Sequence, residues 1–152
     1  MSYEEIFNKL KSFLEKKPAS THAIPLLDSQ AEIRIVIDGQ LECRLINNGG
    51  SPLLTQEPAK NPDVEFCVAL ESLRLLDHIS GDNMTAFGIE VVKEVVAGNI
   101  KIKVCNGLSR LLSGGYLKII KAAGPDFAQY LARYGFKGIG KIINLFKSLS
   151  RS

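Results

Sequence analysis

Residues 3–16 (YEEIFNKLKSFLEK) place Ile6, Phe7, Leu10, Phe13 and Leu14 on one stripe at helical spacing, with lysines and glutamates opposite. Ser2, followed three residues later by Glu5, predicts a capped start, and Pro18 a stop. Residues 19–30 carry Pro25 and no period, and read as an irregular lead-in. The period then changes from about 3.6 to 2. Ile33, Ile35 and Ile37 alternate with Glu32, Arg34 and Val36; Asp38-Gly39 predicts a tight hairpin; Leu41, Cys43 and Leu45 continue the apolar face. Asn47 to Gly50 marks a second turn, and an edge strand is expected around Leu53–Gln56, between Pro52 and Pro58. Over Asp63–Leu70, Val64, Phe66, Val68 and Leu70 share a face. These segments predict four antiparallel strands with one apolar face, which another layer must cover.

That cover is written in the second half. Glu71–Ser80 predicts a short helix closed by Gly81. Asp82 or Asn83 caps a longer one over Met84–Ala97, where Phe87, Ile89, Val91, Val92, Val95 and Val96 leave Glu90, Lys93 and Glu94 as a narrow polar strip. Ile100, Ile102 and Val104 predict the core face of a fifth strand. Asn106 is expected to cap a helix over Gly107–Ala123, kinked or broken at Gly114-Gly115. A further helix is predicted from Pro125 to Tyr134. The expected architecture is α+β: a five-stranded, largely antiparallel sheet covered on one face by helices. It spans residues 1–135, and residues 136–152 form a basic amphipathic tail.

Composition narrows the chemistry. The 152 residues, 45 % hydrophobic and 23 % charged, suit one soluble globular domain. Trp is absent and aromatics are few, which disfavours base-stacking platforms. Net charge is +3 but unevenly placed. Residues 1–100 hold nine Lys/Arg against fifteen Asp/Glu, a net of −6, while residues 101–152 hold ten against Asp126 alone, a net of +9. The C-terminal excess points to an anionic partner or to a solvated face. Cys43, Cys67 and Cys105 are widely spaced, so neither a disulfide framework nor a zinc site is expected, and a reducing cytoplasm fits. The N-terminus is too polar for a signal peptide, and no apolar run approaches the roughly 20 residues that span a bilayer.

The order of these elements resembles the type-2 sterol carrier protein, or nonspecific lipid-transfer protein, family. The similar pieces are AEIRIVIDGQLECRL, PDVEFCVALESLRLL, the GDNMTAF entry and, above all, GNIKIKVCNGLSRLL. The match covers over half the chain and consists of hydrophobic pattern more than rare residues. Gly88–Ala97 lengthens a link that is short in the family, and the Gly114-Gly115 break and the tail lie beyond the match. The resemblance implies a hydrophobic tunnel between sheet and helices, taking fatty acid, acyl-CoA, phospholipid or sterol-like ligands. Its expected lining is Phe87, Ile89, Val92, Val96, Ile102, Leu108, Leu111 and Leu112; the alternative is that these residues simply pack a solid core.

No catalytic group stands out. His22 and His78 are isolated, nothing nearby in sequence activates Cys105, and Ser109 sits in GLSRL rather than in a nucleophile elbow. The spacing Gly135 to Lys141 imitates a phosphate loop, but Ile142 stands where Ser or Thr would hold magnesium and no strand precedes it. The expectation is therefore a non-enzyme with no metal or cofactor, no nucleic-acid partner and a lipid or fatty acyl ligand. Competing readings are an interaction module with a filled core, or an enzyme acting on a lipid-derived substrate. The tail, with Lys137, Lys141, Ile142, Phe146 and Lys147, is expected to touch an anionic membrane, to dock on the domain, or to form a homodimer through its helix. Location is expected to be cytoplasmic, peripheral at a membrane.

Overall fold

The computed structural model describes residues 2–133, so the expected tail at 136–152 lies outside the described residues. Helix α1 (Tyr3–Lys16) starts where the Ser2 hydroxyl accepts the Glu5 N–H, and it buries Ile6, Leu10, Phe13 and Leu14. Residues 19–30 are more regular than their sequence suggested. A one-turn helix α2 (Pro18–Thr21) and a 3-10 turn (Ile24–Leu26) occupy them. Each has a proline in its first turn, where no N–H is needed. Ala19, Ala23, Ile24 and Leu27 supply the burial that holds them.

Strands β1 (Glu32–Ile37), β2 (Leu41–Asn48), β3 (Ser51–Thr55), β4 (Val64–Val68) and β5 (Ile100–Val104) form one sheet in the order β3-β2-β1-β4-β5. Asp38 and Gly39 both take positive φ, and Gln40 N–H closes the first turn on the Ile37 carbonyl. All neighbours pair antiparallel except β1 and β4, which run parallel with Ile35 opposite Phe66. Four consecutive antiparallel strands were expected. The exception arises because β3 lies beyond β2, and residues 56–63 bring the chain back to the start of β1 before β4 begins. Asn61 N–H donates to Glu32 Oε1, Asp63 N–H to the Glu32 carbonyl, and Arg44 pairs with Glu57 along that return. Leu70 falls outside β4 and is exposed rather than on the core face.

The helical cover begins with a 3-10 turn (Leu70–Arg74) and α3 (Leu75–His78), in place of a single helix over 71–80. Three residues per turn put Ser72 under Leu75 and Leu73 under Leu76, so all four reach the interior. Helix α4 (Met84–Val96) is capped by Asn83, whose side chain accepts the Ala86 N–H at 3.0 Å. Glu94 leaves the expected polar strip: it is only 6 % exposed and accepts Asn99 Nδ2 at 2.7 Å. Helices α5 (Gly107–Ser113) and α6 (Tyr116–Ala123) are separated at Gly114-Gly115, one of the two outcomes the glycine pair predicted. Gly115 has φ 95°, and a Cβ there would collide with the Leu26 carbonyl; the glycine allows this close backbone approach. Asn106 does not cap α5 with its side chain; its Nδ2 donates to Asn61 Oδ1 at 2.7 Å. Helix α7 (Pro125–Arg133) packs back on α4, with the Phe127 ring where a Gly88 Cβ would be. The molecule is α+β, with a mixed five-stranded sheet and helices against its inner face.

Candidate functional site

Between the inner sheet face and the helices lies a cavity of about 390 Å³, within the range of small-molecule pockets. The sheet contributes Ile33, Ile35, Ile37, Leu45 and the alternate residues of β4 and β5. From the cover, α4 presents Met84, Phe87, Gly88, Val91 and Val92, the i, i+3, i+4, i+7, i+8 stripe of a helix. Helices α1, α5, α6 and α7 close it with Leu10, Leu14, Leu111, Leu117, Ile120 and Phe127. Its polar residues are Ser20, Ser72 and Tyr116; the described wall contains no Lys, Arg, His, Asp or Glu.

Of the lining expected from sequence, Phe87, Val92, Ile102 and Leu111 stand together in this wall. Ile89, Val96 and Leu112 do not. Ile89 is off the α4 stripe, and Val96, 53 % exposed, ends the helix just before the chain turns into β5. Leu112 packs instead beside Val64, Leu111 and Leu117. The Leu108 side chain lies outside the described residues, as do Lys137, Lys141, Ile142, Phe146 and Lys147 of the tail.

Sequence reading missed a polar cluster behind one wall residue. Tyr116 donates its hydroxyl to Asp63 Oδ2 at 2.6 Å. Asp63, 1 % exposed, also accepts Arg110 Nε at 2.9 Å and the Glu32 N–H at 3.1 Å. Arg110 then grips Asp28 with both terminal nitrogens, each at 2.6 Å. Burial, reinforced by the Asp63 carboxylate, pushes the Tyr116 phenol well up, so it stays a neutral donor. The Arg110 guanidinium holds the Asp28 carboxyl below its ordinary value. Only a lone Arg in the apolar GLSRLL helix and an Asp just before β4 hinted at this cluster.

The remaining chemistry is spare. Burial pushes the Cys43 thiol up to about 11, which leaves it a core thiol rather than a nucleophile. Among the described residues no group of His, Cys, Asp and Glu is arranged to hold a metal ion, and no helix is long and apolar enough to cross a membrane.

No family model matches the chain, and no curated protein matches it. Among solved structures the chain is similar to a UbiJ-SCP2 ubiquinone synthesis protein, with a TM-score of 0.46 and 16 % identity over 79 % of this chain and 93 % of that chain. The cavity itself carries the functional reading.

Proposed function

We propose that the protein binds a lipid in this cavity without catalytic turnover and passes it between membranes. The observation that carries the reading is the wall: apolar on nearly every side, free of charged groups among its described residues, and large enough for a ligand. Each methylene moved from water into such a space gains about 0.8 kcal/mol, so a long acyl chain gains on the order of 10 kcal/mol before ordering costs are subtracted. No dedicated catalytic pair is needed for that, and the Tyr116–Asp63 contact is occupied in holding elements together.

Exchange with a bilayer requires a docking surface. The basic residues Lys137, Lys141 and Lys147, interleaved with Ile142 and Phe146, suit an anionic membrane, each cation near the surface contributing about 1 kcal/mol. Native mass spectrometry and organic extraction of the purified protein, with titration of a fluorescent fatty acid, test the binding reading. Co-purified lipid or saturable probe binding supports it. A protein that carries no lipid and binds no probe is instead an interaction module with an idle cavity. Co-sedimentation with phosphatidylserine vesicles, compared between the full chain and its K137E/K141E/K147E variant, tests the docking reading. Equal sedimentation of the two removes the tail from the mechanism.

A further inference from the structure

Ser20 and Ser72 belong to the cavity wall, and neither hydroxyl has a hydrogen-bond partner. Ser20 sits on α2 at 7 % exposure and Ser72 in the 70–74 turn at 3 %. Buried hydroxyls in folded proteins are nearly always bonded, and an unmet one costs the free energy of its lost hydration. The third polar wall residue, Tyr116, is already engaged by Asp63. Both residues thus line an otherwise apolar cavity, while each hydroxyl oxygen is itself buried in the wall, unmet and turned away from the open space.

The wall also limits what can satisfy them. A carboxylate or phosphate drawn inside would leave water without meeting a cation, because none lines the described wall. A serine hydroxyl both donates and accepts, so it pairs with a neutral hydroxyl or carbonyl oxygen. It also turns on a single side-chain torsion with three staggered wells, so a rotation brings each from its buried, unmet position toward an oxygen lying against the wall. We infer, resting on the lipid-binding reading above, that Ser20 and Ser72 select an uncharged lipid bearing a hydroxyl or carbonyl oxygen, which they hydrogen-bond inside the cavity. Charged amphiphiles bind only as far as their headgroups stay outside.

Displacement of diphenylhexatriene by lauryl alcohol, dodecane and laurate at neutral pH tests this on the full chain. The wild-type protein is expected to rank lauryl alcohol ahead of both dodecane and laurate. The S20A/S72A double variant is expected to lose roughly 3- to 10-fold in affinity for the alcohol, the value of about one neutral hydrogen bond. Its affinity for dodecane, which offers no oxygen to either serine, is expected to hold or rise as the wall becomes more apolar, and a fall there would report a damaged cavity. Unchanged alcohol affinity in the double variant, or laurate binding as tightly as the alcohol, overturns the inference and leaves the lipid-binding reading standing. Failure of the protein to bind diphenylhexatriene or any of the three compounds overturns both.

Discussion

Asp63 joins residues that are far apart in the chain: the Glu32 amide of β1, Arg110 of α5 and Tyr116 of α6 all meet on one carboxylate. Removing it leaves a largely buried guanidinium with Asp28 alone and a buried phenol with nothing. Asp63→Ala is expected to destabilise the protein by about 3 kcal/mol, read from the midpoint of urea unfolding. Asp28 is more open to solvent. Its carboxyl is held below the usual range by Arg110, so its stabilisation is complete above the unfolded value of about 3.9 and fades as pH falls through the lower folded one. The urea midpoints of wild type and Asp28→Asn should therefore differ by a constant amount above about pH 5 and converge below about pH 4. A gap that persists undiminished to about pH 2 would place the loss elsewhere than in this ion pair.

Among the elements, the α5–α6 break is the joint that seats the cover on the N-terminal half of the chain. Asp28 N–H donates to the Gly114 carbonyl at 2.9 Å, and Gly115 passes beside Leu26 with φ 95°. Gly115→Ala meets both a strained φ and a backbone collision, and should cost at least about 2 kcal/mol. Thermal unfolding reads this directly; a variant as stable as wild type would mean that the joint slides freely. Helix α4 shows a related use of glycine, where Gly88 leaves room for Phe127 and so admits α7 to the cavity wall. The ten residues Gly88–Ala97, conspicuous in sequence as an extension of a short link, are thus the second half of a wall helix whose stripe ends at Val92.

For the molecule as a whole, the decisive quantity is the space left between sheet and helices. Val91→Trp projects a large ring into it. If the space is open to ligand, affinity for diphenylhexatriene should fall at least about tenfold while the melting temperature holds or rises. In a solid core the same change would overpack and destabilise by about 1–3 kcal/mol, without regard to ligand. The two outcomes separate a carrier from a filled fold in one variant. The uneven charge of the chain, a net −6 over residues 1–100 against +9 over 101–152, makes the C-terminal region the one expected to meet an anionic surface under the proposed docking reading.

Sequence alone determined the elements whose signal is local. Period-two runs marked β1, β2, β4 and β5 and their inner faces, and Asp38-Gly39 marked the first hairpin, because side-chain alternation and φ preference act within a few residues. The capped α1 and the interruption at Gly114-Gly115 were legible for the same reason. Phe87, Val92, Ile102 and Leu111 were legible only as apolar positions on α4, β5 and α5, without the knowledge of which side of each helix faces the sheet. Tertiary structure decided the rest. The parallel β1–β4 pairing depends on where β3 lies, and the Asp28–Arg110–Asp63–Tyr116 cluster joins positions 47, 53 and 82 residues apart. No periodicity reaches that far. The cavity and its two unmet serines belong to no residue's own preference: a void is what packing leaves unfilled, and it exists only once every layer is in place.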